Sequence, residues 1–182
     1  MTADHPRGPQ ILGTLHTVDG KGVVHLEHRY DSAIDEVWSA ITDPSRLSRW
    51  HGQLDGDLRQ GGSFHLYLAS DDWEGTGRVE VCEPPSHLLV TSRETDESWR
   101  KGQGAEPFDE TLDLTLAPDS GQTVLVLEVR GLPREPLYAY GAGWQIHAEN
   151  LASYLAGREL GDAEARWSEL APAYQELAEG LE

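Results

Sequence analysis

Apolar residues recur at steps of three and four from Leu137 to Leu155, and this is the strongest helical pattern in the chain. The predicted apolar face carries Leu137, Tyr140, Trp144, His147, Leu151, Tyr154 and Leu155, and the other side mostly carries Gln145, Glu149, Asn150 and Ser153. Gly141 and Gly143 lie in the first half of this span, where a glycine costs about 1 kcal/mol relative to alanine. We therefore expect a helix that is frayed or bent at its start, or that begins properly only near Gly143.

Before this helix, apolar and polar residues alternate in short runs separated by turn residues, as in the strands of an antiparallel sheet. The predicted strands cover residues 11–18, 23–31, 54–59, 63–70, 73–83, 87–94, 110–117 and 123–130. A helical spacing interrupts them between Ile34 and Ile41, and Pro44 favours a second short helical turn that runs to Trp50. The simplest architecture for this order is α+β, with one long helix laid across a strongly curved antiparallel sheet.

The two ends of the chain differ from its centre. Residues 1–10 are polar and contain two prolines, which predicts a disordered leader before a domain at residues 11–160. Asp162 is a candidate cap for a further helix in an extension at residues 161–182, and Pro172 is expected to kink that helix or to end its first half. The apolar stripe of this helix consists of Trp167, Leu170, Tyr174 and Leu177. The stripe needs a surface to cover, which belongs either to the same domain or to a second copy in a homodimer.

The charge balance restricts the class of partner. The chain has 14 basic and 32 acidic residues and a formal net charge of −18 at pH 7, so phosphate backbones and anionic membrane surfaces should repel it. Nucleic acid and membranes are therefore not expected partners. Cys82 is the single cysteine, and the sequence shows neither a Cys/His ligand spacing nor a membrane-spanning apolar run. We expect a cytoplasmic protein without a disulfide, a metal or another cofactor.

Aromatic residues are the main candidates for a binding site. They are Trp50, Phe64, Tyr67, Trp73, Trp99, Tyr140 and Trp144. Their rings combine a large apolar area with a polar edge, which suits a planar or sterol-like ligand, but the same residue types also fill ordinary cores. Trp73 and Trp144 are the strongest candidates for ligand contact. Gly75 and Gly77 leave one strand face locally bare, which predicts a bulge or a close approach by another group.

Histidines are candidates for proton transfer or for holding a ligand oxygen. His147 lies on the predicted apolar face one helical turn from Trp144, and His51 directly follows Trp50. His65 is a weaker candidate of the same kind. The alternative is a core histidine that bonds to a backbone carbonyl, because buried polar groups are usually satisfied inside the protein.

One carboxylate is a further candidate for an acid or base. Glu128 alternates with Val124 and Val126, which would turn it toward an apolar face and raise its pKa. The alternative is a strand-end residue that reaches water. Asp109 and Glu110 are adjacent, so we expect that pair at a turn or a solvated edge. The motifs of serine hydrolases, phosphate-binding loops and dinucleotide-binding folds do not occur in the sequence.

Several short motifs occur in a characteristic order. They are residues 35–44 (DEVWSAITDP), Leu47 with Trp50, Gly61-Gly62, Gly75-x-Gly77, Glu83-Pro84-Pro85, and Gly143-Trp144 leading into Leu151. Together they resemble the START-like, or SRPBCC, superfamily over residues 23–157. More narrowly, they resemble bacterial relatives of the C-terminal domain of the activator of heat-shock-protein ATPase.

The resemblance implies a helix-grip fold of about six to eight strands, with two short helices after the first strand and an apolar cavity between the sheet and the long helix. Superfamily members carry, sequester, cyclise or hydroxylate hydrophobic molecules. The leading hypothesis is therefore binding of a small hydrophobic or aromatic molecule. The alternatives are a polyketide cyclase or isomerase that uses His147, His51 or Glu128, and a module that binds a chaperone during stress. The N-terminal half of the eukaryotic activator has no counterpart here, which weakens the chaperone hypothesis.

Overall fold

The computed structural model describes residues 9–68, 73–94 and 107–181. Eight strands precede the two long helices, and two short helices follow the first hairpin. The strands are β1 (Gly13–Val18), β2 (Lys21–Tyr30), β3 (Gln53–Gly56), β4 (Ser63–Leu68), β5 (Trp73–Glu83), β6 (His87–Glu94), β7 (Asp109–Asp119) and β8 (Gln122–Leu132). The helices are α1 (Ile34–Thr42), α2 (Pro44–Leu47), α3 (Leu137–Leu155) and α4 (Ala163–Glu179).

The strands form one antiparallel sheet in the order β1-β2-β8-β7-β6-β5-β4-β3. Pairing of β2 with β8 places the first hairpin beside the last one, so the sheet runs continuously from β1 to β3. The core lies between this curved sheet and α3, with α1 and α2 against one side. The α+β helix-grip architecture predicted from the sequence is confirmed.

The start of α3 contradicts one expectation. The helix begins at Leu137 and continues through Gly141 and Gly143, so neither glycine delays its start. A Cβ atom at Gly141 would lie 2.5 Å from Cδ1 of Tyr174 and 3.0 Å from Cδ2 of Leu15. Glycine at position 141 therefore allows α4 to pack closely against α3.

The helix α3 is covered on more than one side, which also corrects the predicted apolar face. Gln145 was assigned to the polar side, but its side chain is fully buried. Its Oε1 accepts hydrogen bonds from Leu12 N and from the Tyr174 hydroxyl, and its Nε2 donates to the Gln10 carbonyl. The N-terminal segment and α4 thus bury a face that sequence periodicity alone marks as polar.

The helix α4 packs on α3 and β1 of its own domain. Asp162 accepts a hydrogen bond from Ala165 N at 3.0 Å, as predicted for a cap, but the helix continues through Pro172 and does not end there. Leu170 and Tyr174 are fully buried, whereas Trp167 and Leu177 remain 37% and 41% exposed. Only part of the predicted apolar stripe therefore covers the chain itself. Within the described ranges, none of the helices is both long and apolar enough to span a bilayer.

Candidate functional site

A large cavity lies between the curved sheet and α3. Its volume is about 1480 Å³, and it is lined by residues of β2 to β8, of α2 and α3, and of the first two turns of α4. The lining includes the exposed residues Tyr67, Leu160 and Trp167, so the cavity reaches the protein surface at the side covered by the α3–α4 connection. A space of this size exceeds the few water-sized voids expected in a close-packed core.

The predicted site residues converge on this cavity. The lining contains Trp50, His51, Phe64, Tyr67, Trp73, Tyr140, Trp144 and His147. Trp99, the remaining aromatic candidate, lies outside the described residues. The side chain of His65 is 45% exposed and lies 3.1 Å from Glu74, and it does not belong to the lining.

Two of the aromatic rings are positioned by glycines on β5. A Cβ atom at Gly77 would lie 2.3 Å from Cζ of Phe64, and one at Gly75 would lie 2.5 Å from Cη2 of Trp73. The close approach predicted at these glycines is therefore made by the rings of Phe64 and Trp73. A side chain at either glycine would therefore displace the neighbouring ring from the place it occupies beside the cavity.

Other aromatic residues are held by hydrogen bonds at their polar edges. Trp50 Nε1 donates to the Ala40 carbonyl at 2.9 Å, which ties the end of the α1–α2 segment to α1. The Tyr140 hydroxyl donates to Oε2 of Glu94 at 3.1 Å. Fixed rings keep their apolar faces available to the cavity, because their polar atoms are already bonded.

Two histidines meet inside the cavity beside Trp144. The ring centroids of His51 and His147 are 4.4 Å apart in an edge-to-face arrangement, and the ring of His51 stacks on that of Trp144 at 6.1 Å. Burial, and secondarily the neighbouring His147, hold the pKa of His51 well below its usual value of 6.5. The buried Nδ1 of His51 has no hydrogen-bond partner among the described residues. His51 is therefore a neutral imidazole at pH 7 with an available ring nitrogen.

Glu128 does not face the cavity. Up to Val129 the buried residues of β8 are Thr123, Leu125, Leu127 and Val129, so Glu128 lies on the other face of the sheet. Its carboxylate lies 2.8 Å from Arg130 and 3.5 Å from His25. The hydrogen bond from Arg130 is the main cause that lowers the pKa of Glu128. The expected raised pKa at this position is wrong.

The carboxyl group inside the cavity belongs to Glu110, which the sequence assigned to a solvated edge. Glu110 lies on β7 opposite Ser92 of β6, and both residues line the cavity. Burial raises the pKa of Glu110 to about 7, and the carboxylate of Glu94 adds to the shift. Glu94 itself is only 2% exposed. Glu110 continues the alternation of Leu112, Leu114 and Leu116, and this signal would have placed it on the buried face.

The cavity contains few groups suited to a metal. In the part of the chain that the structure describes, no three His, Cys, Asp or Glu side chains converge as a metal-binding group. The chemistry that the lining offers is apolar contact, hydrogen bonding and proton exchange through His51, His147 and Glu110.

Comparisons with known proteins agree with the fold. The crystal structure of CalU16 from Micromonospora echinospora superposes with a TM-score of 0.70 at 28% identity, covering 91% of this chain and 95% of that one. The crystal structure of DynU16, a protein from the dynemicin biosynthetic locus, gives a TM-score of 0.64 at 25% identity, covering 78% and 50% of the two chains.

A curated relative and a family profile identify the chain more closely. The mouse (Mus musculus) protein named activator of 90 kDa heat shock protein ATPase homolog 2 is 26% identical over 113 residues, which is 60% of this chain and 30% of that protein. The chain thus spans under a third of the length of this relative. The profile described as "Activator of Hsp90 ATPase homolog 1-like protein" matches residues 31–156. The chain belongs to this family, within the START-like superfamily to which its sequence motifs point.

Proposed function

We propose that the protein binds a small hydrophobic or aromatic molecule in the cavity between the sheet and α3. The observation that carries the proposal is a space of about 1480 Å³ surrounded by aromatic rings that do not fill it. Small-molecule sites commonly measure about 300–1,000 Å³ and are lined mainly by apolar and aromatic side chains. The space is large enough for a polycyclic ligand.

The binding energy would come from apolar burial. Each Å² of apolar surface removed from water contributes about 25 cal/mol before the costs of ordering both partners. The floor of the cavity carries apolar side chains from several strands, including Leu26, Leu114 and Leu127, and α3 supplies Ile146 and Leu151. A ligand between them would contact apolar surface on two sides.

Gly143 offers a direct test. This glycine lines the cavity on α3, and a Cβ atom added there would have nothing within 4 Å. Gly143→Phe should therefore place a ring into the cavity, and Gly143→Ala is the matched control that fills almost none of it. Both substitutions also raise helix propensity, so neither should unfold the protein.

The probe for this test is N-phenyl-1-naphthylamine, a neutral aromatic molecule whose emission increases in apolar surroundings. We expect saturable binding to the wild type and to Gly143→Ala, and at least about tenfold weaker binding to Gly143→Phe, which corresponds to 1.4 kcal/mol of lost contact. Equal binding to Gly143→Phe and Gly143→Ala would contradict the proposed location. Absence of saturable binding to the wild type would count against the function itself.

A second function is supported by the titratable groups of the same cavity. A carboxyl with a pKa of about 7 and the His51–His147 pair surround one space, and a general acid or base works best when its pKa lies near the working pH. These groups favour a cyclase or isomerase that moves a proton on a carbonyl-containing aromatic substrate. Glu110 replaces Glu128 in this proposal.

The enzyme proposal can be tested with 2-tetralone, whose protons next to the carbonyl exchange with deuterated water. The wild type should accelerate this exchange, and Glu110→Gln or His147→Ala should remove the acceleration. A wild type that binds 2-tetralone without accelerating exchange would leave ligand binding as the function and exclude proton transfer on this type of substrate.

Chaperone binding is supported by the family match over residues 31–156 and by the similarity to the mouse activator over 113 residues. The described surface offers no feature that specifies a chaperone as partner. Ligand binding therefore remains the function that the geometry supports best.

A further inference from the structure

The ring of His51 is held in a fixed position at the wall of the cavity. The backbone N–H of His51 donates to the Leu47 carbonyl at 2.9 Å, and the centroid of its ring lies 5.2 Å from that of Trp50. From α3, the ring centroids of Trp144 and His147 approach that of His51 to 6.1 and 4.4 Å. Contacts from two separate elements of the fold therefore position this imidazole.

None of these ring contacts is a hydrogen bond. Nδ1 of His51 is buried without a partner, and no described residue forms a hydrogen bond or an ion pair with either ring nitrogen. The side chain lines the cavity, and Nδ1 is the nitrogen that is closed off, so Nε2 is the nitrogen that a molecule in the cavity can reach. Because polar groups inside proteins are usually hydrogen-bonded, a bound ligand can supply the bond that the described residues do not.

The buried Nδ1 also determines which tautomer of His51 is favoured. A neutral imidazole carries one N–H group and one bare nitrogen, and burial keeps His51 neutral because it holds the pKa well below 6.5. A buried N–H group without an acceptor is rarer in proteins than a buried acceptor without a donor. The proton therefore belongs on Nε2, and the bare nitrogen is the enclosed Nδ1. This tautomer makes the accessible nitrogen a hydrogen-bond donor.

The surroundings of Nε2 restrict the group that can accept its hydrogen bond. The indole rings of Trp50 and Trp144 beside it contain a donor but no acceptor. A ligand hydroxyl could accept from Nε2, but its own hydrogen would then need a further acceptor, and a buried donor without one is costly. The net charge of −18 disfavours an anionic oxygen such as a carboxylate. A carbonyl oxygen accepts the bond without adding a donor or a charge.

We propose that the ligand of this cavity is an aromatic molecule that carries a carbonyl group, such as an aromatic ketone or a quinone, and that Nε2 of His51 donates a hydrogen bond to the carbonyl oxygen. This inference rests on the proposed ligand-binding function and adds the chemical class of the ligand. The ring system of the ligand makes the apolar contacts, and His51 fixes its polar end. An analogue of the same shape without the oxygen keeps the apolar contacts and leaves Nε2 without a partner.

The test compares 2-acetylnaphthalene with 2-isopropenylnaphthalene, which have nearly the same shape and differ in one carbonyl oxygen against a CH₂ group. Displacement of N-phenyl-1-naphthylamine measures both affinities for the full-length wild type, His51→Phe and His65→Phe. Phenylalanine at position 51 keeps an aromatic ring but has no donor, and His65 is the control because its exposed side chain lies outside the lining. The ratio of ketone affinity to alkene affinity should fall about tenfold in His51→Phe and stay unchanged in His65→Phe.

The infrared carbonyl stretch of bound 2-acetylnaphthalene provides a second measurement that the wild type alone can give. A hydrogen bond from Nε2 weakens the C=O bond, so the band should lie at lower wavenumber in the complex than in hexane. The same shift should be absent from the complex with His51→Phe. A band at the hexane position in the wild-type complex would contradict the inference even if His51→Phe did not fold.

The outcomes separate this inference from the function on which it rests. An affinity ratio that is the same in the wild type and in His51→Phe, or a carbonyl shift that survives in His51→Phe, would overturn the role of His51 and leave ligand binding intact. Failure of N-phenyl-1-naphthylamine and of both naphthalenes to bind to the wild type would overturn both proposals.

Discussion

The imidazole rings of His51 and His147 meet edge to face inside the cavity, with their centroids 4.4 Å apart. Burial and the adjacent ring hold the pKa of His51 well below 6.5. In the unfolded chain His51 takes up a proton below pH 6.5, but in the folded protein it stays neutral. Folding stability must therefore decrease as the pH falls below 6.5.

His51→Phe should reduce this sensitivity to acid. The wild type should lose up to about 1.4 kcal/mol of unfolding free energy per pH unit through His51 between pH 6.5 and the folded-state pKa. The phenyl ring keeps the aromatic contact without the titration, so the variant should lose less between pH 7 and pH 5 in urea unfolding. His65→Phe is the control, because His65 is 45% exposed. Parallel losses in the wild type and His51→Phe would contradict the assignment.

Glu110 predicts the opposite pH dependence. Its pKa is about 7 in the folded protein and 4.5 in its ordinary state, so the folded protein retains a proton that the unfolded chain releases between these values. Stability should therefore fall by about 3 kcal/mol as the pH rises from 4 to 8. Glu110→Gln should be more stable than the wild type at pH 8 and nearly equal to it at pH 4, as measured by urea unfolding at both values. A gain that is the same at both pH values would show that Glu110 does not titrate in this way.

Two glycines on one turn of α3 should respond in opposite directions to alanine. A Cβ at Gly141 would lie 2.5 Å from Tyr174, whereas one at Gly143 would have nothing within 4 Å. Gly143→Ala should stabilise the protein by about 1 kcal/mol through helix propensity, and Gly141→Ala should destabilise it by about 1–3 kcal/mol through overpacking. Thermal unfolding of the pair measures both. Stabilisation by both alanines would mean that α4 does not pack on α3 as described.

The hydroxyl of Tyr174 links α4 to the first strand. It accepts a hydrogen bond from Gly13 N at 3.1 Å and donates one to Gln145 Oε1 at 2.7 Å. Tyr174→Phe leaves both buried groups without this partner and should cost about 1–3 kcal/mol. Tyr67→Phe is the control for unfolding measurements, since Tyr67 is 39% exposed. Equal stability of the two variants would argue against the buried bonds.

Periodicity in the sequence predicted the elements well because most of them bury one face. The bounds of α3 agree with the predicted span, since its apolar spacing is unbroken from Leu137 to Leu155. Gln145 was misplaced because α3 is covered by the sheet, by the N-terminal segment and by α4, and a single apolar stripe cannot represent three covered sides. Hydrogen bonds satisfy the buried amide of Gln145, so this covered face of α3 carries a polar residue that the sequence pattern assigns to solvent.

Glu128 and Glu110 show a second reason why alternation in the sequence can assign a strand residue to the wrong face. Both faces of β8 carry apolar residues, so alternation alone could not decide whether the face of Val126 and Glu128 or the face of Leu127 packs on the core. Glu110 aligned with three buried or half-buried leucines, yet its neighbour Asp109 made the pair resemble a solvated edge. The predicted aromatic residues that the structure describes line the cavity, but the open space between them depends on side-chain placement that the sequence does not encode locally.

The central claim is that the aromatic rings surround a hollow that accepts an organic molecule. The most direct measurement is a crystal structure of the protein soaked with 1-iodonaphthalene, in which anomalous scattering locates the iodine. The account predicts an iodine peak between the sheet and α3, in contact with Phe64 or Trp144. Rings that close on one another without room for the molecule, with iodine found only on the outer surface, would contradict it.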